Sequence, residues 1–153
     1  MAATGLDVFD KTLQTTHVWL DEIMEPLGAD RQLAWRVLGA VLQALRDRVP
    51  LELASHLGAQ LPLMVRGLYY DQWQPEAQPQ RQRTEDAFLA RVQEGLRGTR
   101  PENPRAATAA VFRVIAHHVD PGQVGKLVQA LPEPVQRIWL DAAAVRLPGP
   151  NRG

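Results

Sequence analysis

Residues 57–73 read LGAQLPLMVRGLYYDQW, in which a Leu-Pro step joins two helix-forming segments and an aromatic-rich end follows. Residues 127–139 read LVQALPEPVQRIW and repeat that step in a reduced form, seventy positions later. Proline is favoured in the first turn of a helix, because the amide donor that it lacks would have no partner there. The repeated step therefore predicts that a pair of helices occurs twice in the chain.

The similarity extends over residues 36–70 and 106–140, which align without a gap. The matching residues occupy positions that helical periodicity assigns to a core, whereas charged positions such as Arg46, which aligns with Ala116, differ. We interpret the two segments as copies that share their packing and differ in their surfaces. The predicted fold class is all-α, with two tandem four-helix repeats packed as a pseudo-two-fold helical bundle.

The predicted organisation is a single domain, residues 1–153, made of two repeats at about residues 6–70 and 84–144. Residues 71–83 contain two prolines and five glutamines and are predicted to be a linker. Residues 145–153 are rich in proline and glycine and are predicted to be a disordered tail.

The first predicted helix begins near Leu6 and ends near Met24, because Pro26 disfavours a helical residue before it. One stripe of this helix recurs at spacings of three and four residues, the pattern of a core-facing surface. The stripe consists of Leu6, Phe9, Leu13, Thr16, Leu20 and Ile23.

The composition excludes several kinds of site. The chain has no cysteine, so disulfides, thiolate-bound zinc, iron–sulfur clusters and cysteine nucleophiles are excluded. Seventeen basic and seventeen acidic residues cancel, and no nucleic-acid partner is predicted from this balance. The first residues lack the basic and apolar regions of a secretory signal, and the apolar runs are too short for a membrane span. We therefore expect a cytoplasmic protein without a membrane partner.

A resemblance to a known family rests on the two Leu-Pro segments. The first combines QLP at residues 60–62 with RGLYY at 66–70 and Trp73, and the second combines LP at 131–132 with Trp139. This pattern resembles the bacterial domain-of-unknown-function 2267 family over most of the chain. The resemblance implies a small bacterial helical protein, and it carries over no catalytic, cofactor-binding or metal-binding residue.

Histidine and serine suggest no catalytic or metal centre. His117 and His118 are adjacent, so their side chains should point about 100° apart on a helix and not share one ion. We expect His118 to border the apolar face, satisfied by a backbone carbonyl, and His117 to face solvent. Ser55, the only serine, lacks the glycine-flanked turn that exposes a nucleophile. We predict no catalytic residue, cofactor or metal ion, and favour a protein that is not an enzyme.

The preferred functional hypothesis is a protein-interaction or self-association module, with Arg66, Tyr70 and Trp73 as its candidate surface. Tyrosine, tryptophan and arginine dominate binding hot spots, and Arg66 and Tyr70 share a helix face. Tyr70 and Trp73 have no aromatic counterpart in the second copy. The partner is an unknown protein or a second copy of the chain.

The alternative hypothesis is a small-molecule binder or enzyme with a pocket between the two repeats. Arg48 and His118 occupy equivalent positions, seventy residues apart, at the ends of corresponding predicted helices. In a pseudo-two-fold arrangement they would face each other across such a pocket.

Overall fold

The computed structural model describes residues 4–78 and 83–144, and every regular element in these ranges is helical. This confirms the all-α prediction. The elements are, in order, α1 (Asp7–Leu27), α2 (Arg31–Arg48), α3 (Leu51–Gln60), α4 (Leu63–Tyr70), a 3₁₀ turn (Pro75–Ala77), α5 (Glu85–Gly95), α6 (Pro104–His118), α7 (Pro121–Ala130) and α8 (Glu133–Ala144).

Two predicted segments lie wholly or partly outside the residues that the structure describes. The predicted tail, residues 145–153, falls outside the described residues, as do residues 79–82 of the predicted linker. The rest of that linker contains the short 3₁₀ turn. Among the helices in the described ranges, none combines the length and hydropathy needed to cross a bilayer.

Capping side chains begin three helices where the sequence indicates a start. Each accepts an amide hydrogen bond from the residue three positions on, which satisfies one of the unpaired donors of a first helical turn. The donor–acceptor distances are 2.9–3.1 Å, for Asp30 with Leu33, Thr84 with Ala87 and Asp120 with Gln123.

Helix α1 continues past the point where the sequence predicts its end. Pro26 lies inside the last turn, where it removes one backbone hydrogen bond without stopping the helix. The helix ends at Gly28, whose φ of 61° is left-handed and favours glycine, and the Ala29 amide donates to the Met24 carbonyl. The glycine, and not the proline, therefore terminates α1.

Helices α2 and α6 form the centre of the bundle. They contact each other, and α1 and α5 each contact both of them. Helix α4 packs on α1 and α2, α8 packs on α5 and α6, and α3 contacts α7. Because α2 is covered on several sides, apolar side chains around much of its circumference are buried.

An aromatic cluster fills the core around α6. Phe112 is fully buried, and its ring stacks on Trp139 with centroids 4.2 Å apart. The ring of Phe88 in α5 lies with its centroid 6.1 Å from that of Phe112. Tyr69, which aligns with Trp139, is also fully buried, and its hydroxyl donates to the Ala54 carbonyl at 2.6 Å.

Arg46 corrects the expectation that charged positions outside the matched core are surface positions. Its side chain is only 3% exposed. The guanidinium donates to the carbonyls of Tyr69 and Asp71 at 2.9 and 3.0 Å, and to the Asp47 carboxylate at 2.9 Å. Arg46 therefore supplies hydrogen-bond donors to backbone carbonyls at the end of α4. Buried polar groups normally have such partners in place of water.

The apolar stripe of α1 is longer than the core that covers it. Leu6 and Phe9 are 52% and 49% exposed, and burial along the stripe begins at Thr16. The prediction that the whole stripe faces the core is therefore wrong for its first two members. The first turns of α1 extend beyond the packed bundle and leave apolar side chains in solvent.

Candidate functional site

An open groove of about 460 Å³ lies between α1 and the turn that joins α3 to α4. Trp19 and Leu61, both almost fully buried, contribute to its lining. Val8 from α1 and Leu63 from α4 add exposed apolar groups. His118, from the end of α6, also lines the groove, so groups from three parts of the fold meet there.

Two cationic side chains, Lys11 and Arg66, line the same groove. The Arg66 guanidinium donates to the Gly58 carbonyl at 2.9 Å and to the Leu61 carbonyl at 3.0 Å. A longer bond of 3.3 Å reaches the Ala59 carbonyl. These carbonyls lie at the end of α3, where a helix lacks the donors of a following turn, so Arg66 caps that helix while lining the groove.

The capping contact of Arg66 has a counterpart seventy residues later. Gln136 aligns with Arg66, and its side-chain amide donates to the Leu131 carbonyl at 2.8 Å. A weaker bond of 3.5 Å reaches the Gln129 carbonyl. A glutamine amide and a guanidinium are both donors, so the contact recurs although the residue type does not. Comparing the aligned residues as hydrogen-bond donors, and not by residue type, would have identified the correspondence of Arg66 and Gln136 in the sequence.

Tyr70 and Trp73 are partly buried and packed against the core. The Tyr70 ring covers Gly58, and its hydroxyl donates to the Ser55 carbonyl at 3.5 Å. Trp73 lies against Tyr70 with ring centroids 5.3 Å apart, and its indole N–H donates to Gln78 Oε1 at 3.2 Å. Both rings therefore hold the segment after α4 onto the bundle. A direct role of these two residues in partner binding stays a prediction.

The closeness of Tyr70 to Gly58 gives a test of this packing. A Cβ atom at position 58 would lie 2.2 Å from the Tyr70 hydroxyl oxygen. Gly58→Ala should therefore displace the ring and lower the free energy of unfolding by about 1–3 kcal/mol. The matched control is Gly67→Ala in α4, where nothing lies within 4 Å and alanine should stabilise the helix by about 0.5–1 kcal/mol. Denaturant unfolding of both variants measures whether each substitution raises or lowers the free energy of unfolding. Equal changes in the two variants would contradict the packing of Tyr70 on Gly58.

Arg48 and His118 line different cavities. Arg48 is 5% exposed and lines a cavity with Asp47 and Arg91, beside α5. Burial lowers the pKa of the Arg48 guanidinium, which the Asp47 carboxylate opposes. Within the described part of the chain, Arg48 Nε has no hydrogen-bond partner. His118 instead lies against α1, so a cavity lined by both residues is not formed at either place.

A cluster of Glu22, His117 and His118 lies beside the groove, between α1 and the end of α6. His117 Nδ1 is 3.0 and 3.1 Å from the two Glu22 carboxylate oxygens, and His118 Nε2 is 2.9 Å from Glu22 Oε2. The His118 ring stacks on Trp19 with centroids 5.2 Å apart and an interplanar angle of 20°. The stacking orients the His118 ring, and the carboxylate draws the two histidines together.

This cluster corrects the expectation that a backbone carbonyl satisfies His118, and both histidines reach one carboxylate although adjacent helix positions point about 100° apart. The two side chains end α6, and one uses Nδ1 while the other uses Nε2, so their ring centroids approach to 4.3 Å. Helical spacing fixes where a Cβ atom points, but a ring with two nitrogens and two rotatable bonds can redirect its polar atoms. Glu22 is distant in sequence, and no local pattern indicates its place here.

The electrostatics of Glu22 favour the ionised carboxylate. Burial raises its pKa, but the hydrogen bonds from His118 and His117, with the attraction of both rings, outweigh burial and lower it below the usual value. A carboxylate can only accept hydrogen bonds, so His117 Nδ1 and His118 Nε2 are the donors. The cluster is therefore an anion held between two imidazoles, next to the lining of the groove.

Comparison with known proteins adds a family but no activity. Residues 16–138 match the model of a family described as "Uncharacterized conserved protein (DUF2267)". This range includes every residue of the cluster and most of the groove. A comparison with curated proteins found no match.

Proposed function

The chain belongs to the DUF2267 family, and we propose that it acts as a non-enzymatic protein-interaction module. The groove beside α1 receives an amphipathic helix of a partner protein, with at least one carboxylate beside its apolar face. The observation that carries this proposal is the set of apolar side chains left uncovered around the groove on α1 and α4.

Five large apolar residues at the start of these two helices are 40–56% exposed. Val8 and Leu63 line the groove together, and the Met64 amide lies 3.3 Å from the Thr12 hydroxyl, which brings the two helix starts side by side. Exposed apolar groups that adjoin one another are typical of interaction sites. The five residues are Leu6, Val8, Phe9, Leu63 and Met64.

The charges in the groove favour an acidic partner. Lys11 and Arg66 line it, and no aspartate or glutamate is among its lining residues in the described part of the chain. A helix that lies in an apolar groove is anchored by side chains spaced three and four residues apart. A carboxylate near those anchors would meet Lys11 and Arg66, which gives the partner its orientation.

The proposal includes the duplication predicted from the sequence, with two four-helix halves related by a pseudo-two-fold axis. Several contacts support it: α1 packs on α6 while α5 packs on α2, and α2 with α6 and α3 with α7 contact each other. The capping contacts of Arg66 and Gln136 also correspond.

The two halves differ where the partner would bind. Phe9 aligns with Phe88, but Phe9 is half exposed and Phe88 is fully buried. Only the first half therefore leaves the apolar stripe of its leading helix uncovered. On this proposal, the two halves share an architecture, and the first half also has a binding surface.

Site-specific photocross-linking in the native cell tests the proposal. A photoreactive amino acid at position 8 or 63 should form a cross-link to the same partner protein. The matched control is position 140, because Leu140 is 60% exposed on α8 and is as accessible as the test positions. The purified partner is then titrated against the wild-type chain, Leu63→Ser and Leu140→Ser.

We expect Leu63→Ser to weaken binding about tenfold or more, because a buried apolar anchor contributes about 2 kcal/mol, and Leu140→Ser to leave it unchanged. Equal cross-linking from position 140 would contradict the proposal. A cross-link between two copies of the chain would identify self-association as the use of this surface.

The alternative of a small-molecule site has one observation in its favour, because the groove has a volume within the range of ligand pockets. It is open along its length, and its exposed apolar side chains continue beyond it on α1, which suits an extended partner better than a small ligand. The cytoplasmic location and the bacterial origin of the chain stay predictions.

A further inference from the structure

We propose that Glu22, His117 and His118 form a binding site for a divalent transition-metal ion such as Zn²⁺. The ligand atoms would be one Glu22 carboxylate oxygen, His117 Nδ1 and His118 Nε2. One atom from each residue lies within 4.8 Å of the others. The inference is independent of the proposed partner groove, because it concerns the cluster beside the groove.

The distances suit a common ion. Zinc bonds to imidazole nitrogen and carboxylate oxygen are about 2.0–2.2 Å long, so two ligand atoms of a tetrahedral site lie about 3.3–3.5 Å apart. The carboxylate–imidazole distances of 2.9–3.1 Å are a few tenths of an ångström shorter than that separation. An ion would replace the two shared protons and would need only small side-chain movements.

The ligand set points to a transition metal. Two imidazoles and one carboxylate bind zinc, cobalt, nickel or iron(II), whereas magnesium and calcium prefer oxygen ligands. The side chains of Glu22, His118 and His117 are 20%, 26% and 44% exposed. Each is partly shielded and partly exposed, so water or an external group can complete the coordination.

The surrounding structure holds the ligands in position. His118 stacks on Trp19, which is only 2% exposed and fixed in the core. Glu22 lies three residues after Trp19, in the next turn of α1. The ion would join α1 to the end of α6, two helices that already pack together. His118 also lines the groove, so the site adjoins it.

Calorimetric titration of the metal-free, untagged chain with Zn²⁺ tests the site. We expect one ion per chain, a rise in melting temperature with Zn²⁺, and no response to Mg²⁺. Glu22→Gln and His117→Ala should each weaken Zn²⁺ binding at least tenfold. His56→Ala is the matched control, because His56 is an exposed histidine of α3 outside the cluster, and it should bind as the wild type does.

Melting of the metal-free variants shows whether each still folds, and His117→Ala keeps the test valid if Glu22→Gln does not, since His117 is 44% exposed. The Co²⁺ complex adds a direct readout, because its visible absorption depends on the ligands and the coordination geometry and should weaken strongly in His117→Ala. Absence of Zn²⁺ binding by the wild-type chain would overturn the proposal. An equal loss in His56→Ala would also overturn it, because binding would then be spread over surface histidines.

Discussion

Replacing Arg46 by methionine should lower the free energy of unfolding by about 3–5 kcal/mol, although methionine retains much of the side-chain volume. The guanidinium is buried and donates to the Tyr69 and Asp71 carbonyls at 2.9 and 3.0 Å. Without it, these carbonyls lose their donor in a site that water reaches poorly, and the Asp47 carboxylate loses its closest cation. A hydrogen bond from α2 to the Leu68 carbonyl would remain, together with the apolar contacts.

The loss should appear as a decrease in melting temperature of about 10 °C, since each kcal/mol corresponds to about 2–4 °C in a domain of this size. The matched control is Arg137→Met on α8, where the arginine is exposed and the change should stay within about 0.5 kcal/mol. If both variants melt alike, Arg46 is not a structural ion, and its buried contacts contribute little.

Phe112→Ala should be similarly severe, with a loss of about 3–5 kcal/mol, because it removes a fully buried ring from the centre of the fold. Trp139 lies 4.2 Å away in a stack and Phe88 6.1 Å away. Two rigid rings cannot easily collapse into the space, so a cavity remains. Denaturant unfolding followed by tryptophan fluorescence measures the loss of stability.

Phe9→Ala is the control for the same chemical change, and we expect it to cost less than about 1 kcal/mol because Phe9 is 49% exposed. Comparing the Phe9 and Phe112 variants also tests whether the start of α1 is exposed. A loss at Phe9 as large as that at Phe112 would mean that the first turns of α1 are covered. That result would also remove the main support for the proposed partner groove.

The groove and the cluster lie along one side of α1, which relates the two proposals. Val8, Thr12, Thr15 and Trp19 line the groove at spacings of three and four residues, and Glu22 follows in the same series. A metal ion at Glu22 would lie at the end of the surface that the partner covers. Binding of the metal ion and binding of the partner can be measured separately, so failure of one proposal leaves the other testable.

Helix positions and types follow from the sequence because their causes are local. The two Leu-Pro steps, the caps at Asp30 and Asp120 and the apolar spacing of α2 each act within a few residues of where they stand. The burial of Tyr69 and Trp139 was predictable for a related reason, since aligned aromatic residues share one apolar face. Arg66, predicted as part of an interaction surface, lines the groove, and its capping contact was not foreseen.

The sequence by itself therefore determined an all-helical chain, the starts of most helices and much of the core. Only the tertiary structure decided that Arg46 is buried, that Leu6 and Phe9 are uncovered, and that Glu22 meets His117 and His118. The physical reason is range: capping and periodicity act between neighbours in the chain. The fate of a polar or apolar side chain depends instead on which distant helix packs against it, and α1 meets α6 across about ninety residues of sequence.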